Sequence, residues 1–386
     1  MLRLLHTADV HLGARHADLG DQATAQRERQ FAAFRASVDL AIAEKVDLFL
    51  VAGDLFDSNV QPRRSVERVA AELARLVDAR IRSVLIPGTH DVYDRASLYR
   101  SNDIPAMSGA AGRDFVTVLT PERRSVRLQP LDLTVHSQVF ATKRAPHSPL
   151  VAFDPREDPS TWQVGLIHGS ISIPGQTEHD EVVITTEEIA ASNLDYLALG
   201  HWHSSSRGKA GRTVYAYSGA PEPVALDQDR AGNVILVGLD LKDGKREVTI
   251  EERKVGRTVF EKLEIDAAGL ASQPALIDQL ATRADEDLVL DVRLIGVRPD
   301  VLDIREEEVE AALATRFLKI RVRDRSVPPL SEGPLPPEDT ILGAFVRDVE
   351  AGIAELEAAD DVAGAREARD VLRLGRLLLS GEEVTL

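Results

Sequence analysis

Five short stretches bring aspartate and histidine close enough together to hold metal ions. They are Asp9-Val10-His11, Gly53-Asp54-Leu55-Phe56-Asp57, Gly88-Thr89-His90-Asp91, His168, and Gly200-His201-Trp202-His203. Carboxylate and imidazole suit zinc, manganese or iron. The chain has no cysteine, which leans the site toward a hard, exchangeable ion such as manganese. Asp9, His11, Asp54, His168, His201 and His203 are too many ligands for one tetrahedral ion. They suit two ions roughly 3.5–4 Å apart that share a bridging carboxylate, and Asp54 is the candidate bridge. Such a pair polarises a phosphodiester and activates water near neutral pH. Each motif alone is modest: an Asp-x-His pair is nearly uninformative, and a Gly-Asp is usually a turn. Their number, order and placement carry the weight. His6, His16, His136, His147 and His179 read as packed or surface side chains.

Each stretch follows an apolar run. The runs at 2–5, 46–52, 81–86, 164–167 and 196–199 are rich in Val, Ile and Leu, as buried strands are. A helix pattern with Phe31, Phe34, Val38, Ala41 and Ile42 on one face lies between the first two runs. A second, with Val66, Val69, Leu73, Leu76 and Val77, follows Pro62. This β-α-β-α-β order predicts parallel strands with right-handed crossovers. In such sheets ligands gather at the carboxyl ends of strands, so the five stretches should converge on one edge of the sheet. Gly53, Gly88 and Gly200 let the backbone turn sharply there.

Further strands are expected at 213–217, 234–239 and 248–252. The phase then changes. Residues 255–325 read as a small α+β module with strands at 288–294 and 317–322 around a helix at 305–314. Five prolines mark 326–340 as a linker. The segment 341–386 reads as two helices. Ile341, Phe345, Val349 and Ile353 form one apolar stripe, and Val371, Leu374 and Leu378 the other.

The formal charge is −17, which argues against simple electrostatic binding of nucleic acid. Its distribution weakens that objection. Residues 261–386 hold 28 acidic and 15 basic side chains, a balance of −13, and the first 260 hold 35 and 31, a balance of only −4. Two divalent cations would roughly cancel the latter. No run of about 18 apolar residues predicts a transmembrane helix. The apolar start is too short for a signal peptide, and the lack of cysteine fits a cytoplasmic protein.

In this order the motifs resemble the calcineurin-like metallophosphoesterases. Within them they are similar to the nuclease subunit of SbcCD-type complexes that repair DNA double-strand breaks. The matching stretches are Leu5–Gly13 in the form Leu-His-Thr-Ala-Asp-Val-His-Leu-Gly, then Ala52-Gly53-Asp54-Leu55-Phe56-Asp57, Pro87-Gly88-Thr89-His90-Asp91, His168-Gly169 and Leu199-Gly200-His201-Trp202-His203. The resemblance implies a two-sheet sandwich flanked by helices, residues 1–254, in an overall α/β (α+β) fold. A DNA-facing cap at 255–325 and C-terminal helices at 341–386 that dock on a coiled-coil ATPase would follow. It implies a manganese-dependent 3′-to-5′ exonuclease with endonuclease capacity, acting on DNA ends; a homodimer is compatible with it. Asp9, His11, Asp54 and His203 would hold the first metal, and Asp54, Thr89, His168 and His201 the second. His90 would protonate or stabilise the leaving group, with Asp57 orienting its ring.

There is one departure. The family pattern has Asn where this chain has Thr89. An Asn amide offers a carbonyl to the metal and an N–H to the phosphate, whereas Thr has a single hydroxyl on a shorter arm. Occupancy of the second site and turnover are therefore open. In the strand at 317–322, alternation puts Leu318, Ile320 and Val322 on one face and Lys319, Arg321 and Arg323 on the other. The basic row reads equally as a phosphate-contacting face or as a charge-protected strand edge. Two other functions compete with the nuclease. One is a small-molecule or cyclic-nucleotide phosphodiesterase, which needs neither cap nor tail. The other is a DNA-end-binding scaffold with a weakened catalytic site.

Overall fold

In a computed structural model of the chain, the apolar runs become strands of two stacked sheets. The structure describes all residues except 152–154, 156–157, 178, 224, 226–227, 229, 300–301, 328–335, 338 and 380–386. It divides into two compact units, Met1–Phe260 and Glu261–Leu386.

In the first unit, β1 (Leu2–Thr7), β2 (Leu48–Ala52) and β3 (Arg82–Ile86) run parallel. The short β4 (Val116–Val118) continues the sheet on one side. The second sheet contains β5 (Ser125–Leu128), β6 (Leu133–His136), β7 (Trp162–His168), β10 (Tyr196–Gly200), β11 (Ser206–Ala210) and β12 (Thr213–Tyr217). Its order is β11-β12-β10-β7-β6-β5, with β6, β7, β10 and β12 parallel. Between β7 and β10 lie the paired two-residue strands β8 (Ser170–Ile171) and β9 (Val183–Ile184). The antiparallel hairpin β13 (Asn233–Lys242) and β14 (Lys245–Lys254) closes the first sheet against β1.

Period-two alternation decides what each strand residue faces. Leu5, Phe49, Val51 and Leu85 join the core under helices α1 (Ala23–Ala43) and α2 (Arg63–Asp78), with Phe31, Phe34, Val38, Val66, Val69 and Leu73. Leu4, Leu48, Leu50 and Val84 face the other way and meet Val135, Val164, Leu166 and Ala198 of the second sheet. Strands buried on both faces explain why the runs are continuously apolar.

The second unit has a three-stranded sheet of β15 (Val259–Asp266), β16 (Asp285–Ile295) and β17 (Phe317–Asp324), in that order, with β16 and β17 parallel. Helices Gln273–Ala281 and Glu306–Leu313 complete its core through Leu276, Leu280, Val309 and Leu313. Helices Ile341–Ala358 and Val362–Leu379 pair with each other. Of the proline-rich 326–340 segment, residues 328–335 and 338 lie outside the described residues, as do 380–386 of the expected tail.

Two expectations need correction. The five metal-ligand stretches do not share one sheet: three follow strands of the first sheet and two follow strands of the second. Both sheets bring their carboxyl ends to one place, because Ala52 at the end of β2 meets His168 at the end of β7. The missed strands β4, β5, β6, β8, β9, β11 and β15 are short, polar or both. Ser-Arg-Gly-Lys-Ala in β11 carries no apolar signal; its pairing with β12 makes it a strand.

Candidate metal centre

Each candidate ligand sits at or just beyond the end of a strand, and most lie where the chain breaks from extended geometry. Asp9 (φ 53°), His11 (φ 49°), Asp54 (φ 49°) and His201 (φ 105°) all adopt positive φ, which non-glycine residues rarely do. Strain of this kind concentrates at functional sites. Gly53 adopts φ 86°, and a side chain on it would collide with the His168 ring.

The donor atoms converge. Asp9, His11 and His203 present ligand atoms within 4.8 Å of one another, and so do Asp9, Asp54 and His168. His11 Nε2 lies 3.1 Å from His203 Nε2. Asp54 Oδ2 lies 3.1 Å from His168 Nε2 and 3.8 Å from His11 Nε2, between the two sets of histidines. Thr89 Oγ1 lies 3.4 Å from His168 Nε2 and 3.5 Å from Asp54 Oδ2. The hydroxyl therefore stands beside the second set. His201 differs. Its imidazole belongs to no ligand group among the described residues, and Nε2 lies 3.9 Å from Asp180 Oδ2. Its backbone N–H donates to both Asp9 oxygens, at 2.9 and 3.0 Å.

Surrounding groups fix the rings. His168 Nδ1 donates to the Ala52 carbonyl at 2.9 Å, which turns Nε2 toward Asp54. His11 Nδ1 lies 3.3 Å from Asp57 Oδ1. The Gln228 side-chain amide meets His203 Nδ1 at 2.6 Å. The atom at that distance is Gln228 Nε2; for His203 Nε2 to serve as a ligand, Nδ1 must carry the proton, and the amide must turn over to present its oxygen. His90 is the most exposed ring of the set, at 43%. Its Nδ1 is 3.1 Å from the Asp57 carbonyl and 3.8 Å from the Asp57 carboxylate. The ring packs edge-on against His11 at 4.6 Å. Asp57 thus touches both His11 and His90, which accounts for the third acidic and imidazole cluster, His11, Asp57 and His90.

Two buried elements outside the motif ligands hold the loops. The His90 N–H donates to Asp54 Oδ1 at 2.7 Å. Asp91, fully buried, accepts from Gly88 N at 2.7 Å, Phe56 N at 3.1 Å and the Tyr99 hydroxyl at 2.7 Å. It ties the loop after β2 to the loop after β3. No motif singles out Gln228 or Tyr99; both act through folding contacts.

The electrostatics favour a cation. Burial pushes the Asp9 carboxyl up to about 6, against the pull of His168. Burial would also raise Asp54, but His168, His11 and His90 hold it below the usual carboxylate range. Burial would lower His168, yet Asp54 and Asp9 hold it up at about 10. His201 is pushed down to about 4 by burial and by His168, and His203 to about 3 by burial and by His11. Buried carboxylates call for compensating positive charge. Neutral His201 and His203 are in the form that ligates. The donor set therefore fits divalent ions.

In the second unit, Leu318, Ile320 and Val322 are buried and Lys319, Arg321 and Arg323 are half-buried, so the alternation is as expected. Arg321 pairs in register with buried Asp291, and Arg323 lies 3.8 Å from that carboxylate. The row is at a sheet edge.

These donor groups could hold metal ions, and the comparison with known proteins shows the family. The family model for calcineurin-like phosphoesterases matches residues 2–205, and the chain belongs to that family. The DNA double-strand break repair protein Mre11 of Aeropyrum pernix is 29% identical over 284 residues, covering 69% of this chain and 64% of that protein. YhaO of Bacillus subtilis, an uncharacterized metallophosphoesterase, is 24% identical over 286 residues, covering 72% and 66%. Mre11 of Methanopyrus kandleri is 24% identical over 401 residues, covering 96% and 82%. The first two matches span just under two thirds of those relatives' own lengths. Among the described residues no helix is long and apolar enough to cross a membrane.

Proposed function

We propose that this phosphoesterase is a DNA nuclease, the catalytic subunit of a complex that processes double-strand breaks. The observation that carries the reading is the convergence of Asp9, His11, Asp54, His168 and His203 at the shared end of two sheets, in a chain similar along 96% of its length to a break-repair protein. Asp9, His11, Asp54 and His203 would hold one divalent ion, and Asp54, Thr89, His168 and His201 a second; manganese is the proposed metal. When bound, the pair supplies Lewis acidity toward a phosphodiester and an activated water. His90, exposed beside this site, gives a proton to the leaving oxygen or stabilises its charge. Asp57 orients both His90 and His11. The His90 amide keeps Asp54 aimed between the two sets of histidines.

Residues 255–325 are the proposed DNA-facing cap, with Lys319, Arg321 and Arg323 as phosphate contacts. The helices from 341 are the proposed docking segment for a coiled-coil ATPase, in a cytoplasmic, nucleoid-associated complex. Cleavage is expected to run 3′ to 5′ from DNA ends, with endonucleolytic cuts at branched or single-stranded ends. The test is digestion of end-labelled linear DNA with manganese and with magnesium. Imidazole-rich ligands suit manganese better than magnesium, which prefers oxygen and water. Equal activity in magnesium, with no response to manganese, would count against the reading.

A second reading draws on Thr89 and His201. With a hydroxyl for an amide and an imidazole outside the ligand groups, the second metal binds weakly and the chain serves as a DNA-end scaffold. A protein that binds ends, holds one metal and never cleaves would favour it.

A further inference from the structure

Trp202 stands between two of the candidate ligands, and the fold holds its ring flat. The indole stacks on Tyr217, with centroids 4.5 Å apart and planes 18° from parallel. Its Nε1 donates to Ser170 Oγ at 3.1 Å. Tyr217 is fully buried; its hydroxyl donates to the Gly169 carbonyl at 2.8 Å and accepts the Ile171 N–H at 2.9 Å. Trp202 is only half-buried. Tyr217 covers one face of the indole, and Trp202 lines a cavity of about 720 Å³. Gln176, His201, His203, Ser206 and Arg230 line the same cavity. It therefore adjoins the metal centre directly, with both histidines in its wall.

The volume falls among those of small-molecule sites, about 300–1,000 Å³. The lining offers a rigid aromatic plane, an amide and a hydroxyl that both donate and accept, and one guanidinium. A nucleotide uses all of these: base on plane, base edge on amide and hydroxyl, phosphate on guanidinium. A phosphodiester without a base uses only the last. We propose that Trp202 is a stacking platform for the nucleobase next to the scissile phosphate, so that the site selects nucleotides over phosphodiesters in general. This rests on the nuclease reading above and deepens it. Because every base has a π-face, the selection is tolerant of sequence.

The test compares two substrates that share a leaving group. Bis(p-nitrophenyl) phosphate has no base; thymidine 5′-(p-nitrophenyl phosphate) has one. Both are hydrolysed with manganese by the full-length protein and by Trp202→Ala and Trp202→Phe. The ratio of kcat/KM, thymidine ester over base-free diester, is expected to fall about tenfold or more in Trp202→Ala, chiefly through KM. Trp202→Phe should recover most of it. A ratio that stays at the wild-type value in Trp202→Ala overturns the proposal. A wild-type protein that hydrolyses the base-free diester but neither the thymidine ester nor DNA overturns the nuclease reading itself. Should Trp202→Ala fail to fold, Trp162→Phe leaves Trp202 as the sole tryptophan. Saturable quenching of its fluorescence by thymidine monophosphate is then expected, and no response to that nucleotide overturns the platform.

Discussion

Replacing His90 with Gln separates the ring's chemistry from the loop's architecture. The backbone N–H of residue 90 holds Asp54 Oδ1 at 2.7 Å, and the substitution leaves that bond in place. The ring has few structural duties: it is 43% exposed, with Nδ1 on the Asp57 carbonyl and one face edge-on to His11. Metal content should therefore be retained, while the rate falls. General acid assistance contributes about 10²–10⁴-fold, so the barrier should rise by about 2.7–5.4 kcal/mol. The loss should depend on the leaving group. A deoxyribose oxygen needs a proton to leave, whereas p-nitrophenolate needs little help. Single-turnover cleavage of DNA should thus suffer more than hydrolysis of bis(p-nitrophenyl) phosphate. Equal losses on both would make His90 a charge stabiliser rather than an acid. A normal DNA rate with normal metal content would remove His90 from the mechanism.

Thr89→Asn should tighten the weaker step of a two-step manganese titration and raise the rate at limiting metal, because a longer planar arm carries oxygen to the ion and N–H toward phosphate. No change in either quantity would show that the hydroxyl near His168 and Asp54 already suffices or that the site is out of use. Tyr99→Phe deletes one of three hydrogen bonds to the buried Asp91 carboxylate and should lower stability by about 1.5–3 kcal/mol, read by urea unfolding; no loss would dismiss Asp91 as the tie between the two loops. Burial pushes the His6 imidazole from 6.5 down to about 3, so the unfolded chain takes up a proton there that the native chain refuses. The stability this neutral ring contributes is complete above 6.5 and is lost as pH falls toward 3, at up to ~1.4 kcal/mol per pH unit; a His6→Gln variant with an unaltered slope over that window would contradict this. Removing residues 340–386 should spare hydrolysis of a small diester and abolish capture of the coiled-coil ATPase, and undiminished capture would refute a docking role for Ile341, Phe345, Val349 and Ile353.

What could be read from the residues was whatever repeats a simple physical rule. Buried parallel strands advertise themselves through apolar runs, and Leu4 and Leu5 face different cores because side chains alternate. Ligand chemistry is equally plain in Asp9, His11, Asp54, His168 and His203. What stayed hidden depends on contacts distant in sequence. The two-sheet division of the ligands rests on Ala52 meeting His168, 116 positions apart. Gln228 reaches His203 from a loop with no motif. His201 looked like any other ligand in Gly-His-Trp-His, yet its backbone, not its ring, makes the contact with Asp9. No spacing rule encodes the positive φ at Asp9, His11 and Asp54. Polar β11 formed because a partner strand was at hand.

On the proposed reading, one buried carboxylate, Asp54, organises a two-metal site that cuts DNA. The most direct measurement is manganese binding by calorimetry, paired with cleavage of linear DNA, for the wild type and Asp54→Asn. The wild type should bind two ions per chain and degrade DNA. Asp54→Asn should keep its fold by circular dichroism, lose metal and show no cleavage above background. Two manganese ions bound to Asp54→Asn at unchanged affinity, or continued cleavage of DNA by it, would contradict the account.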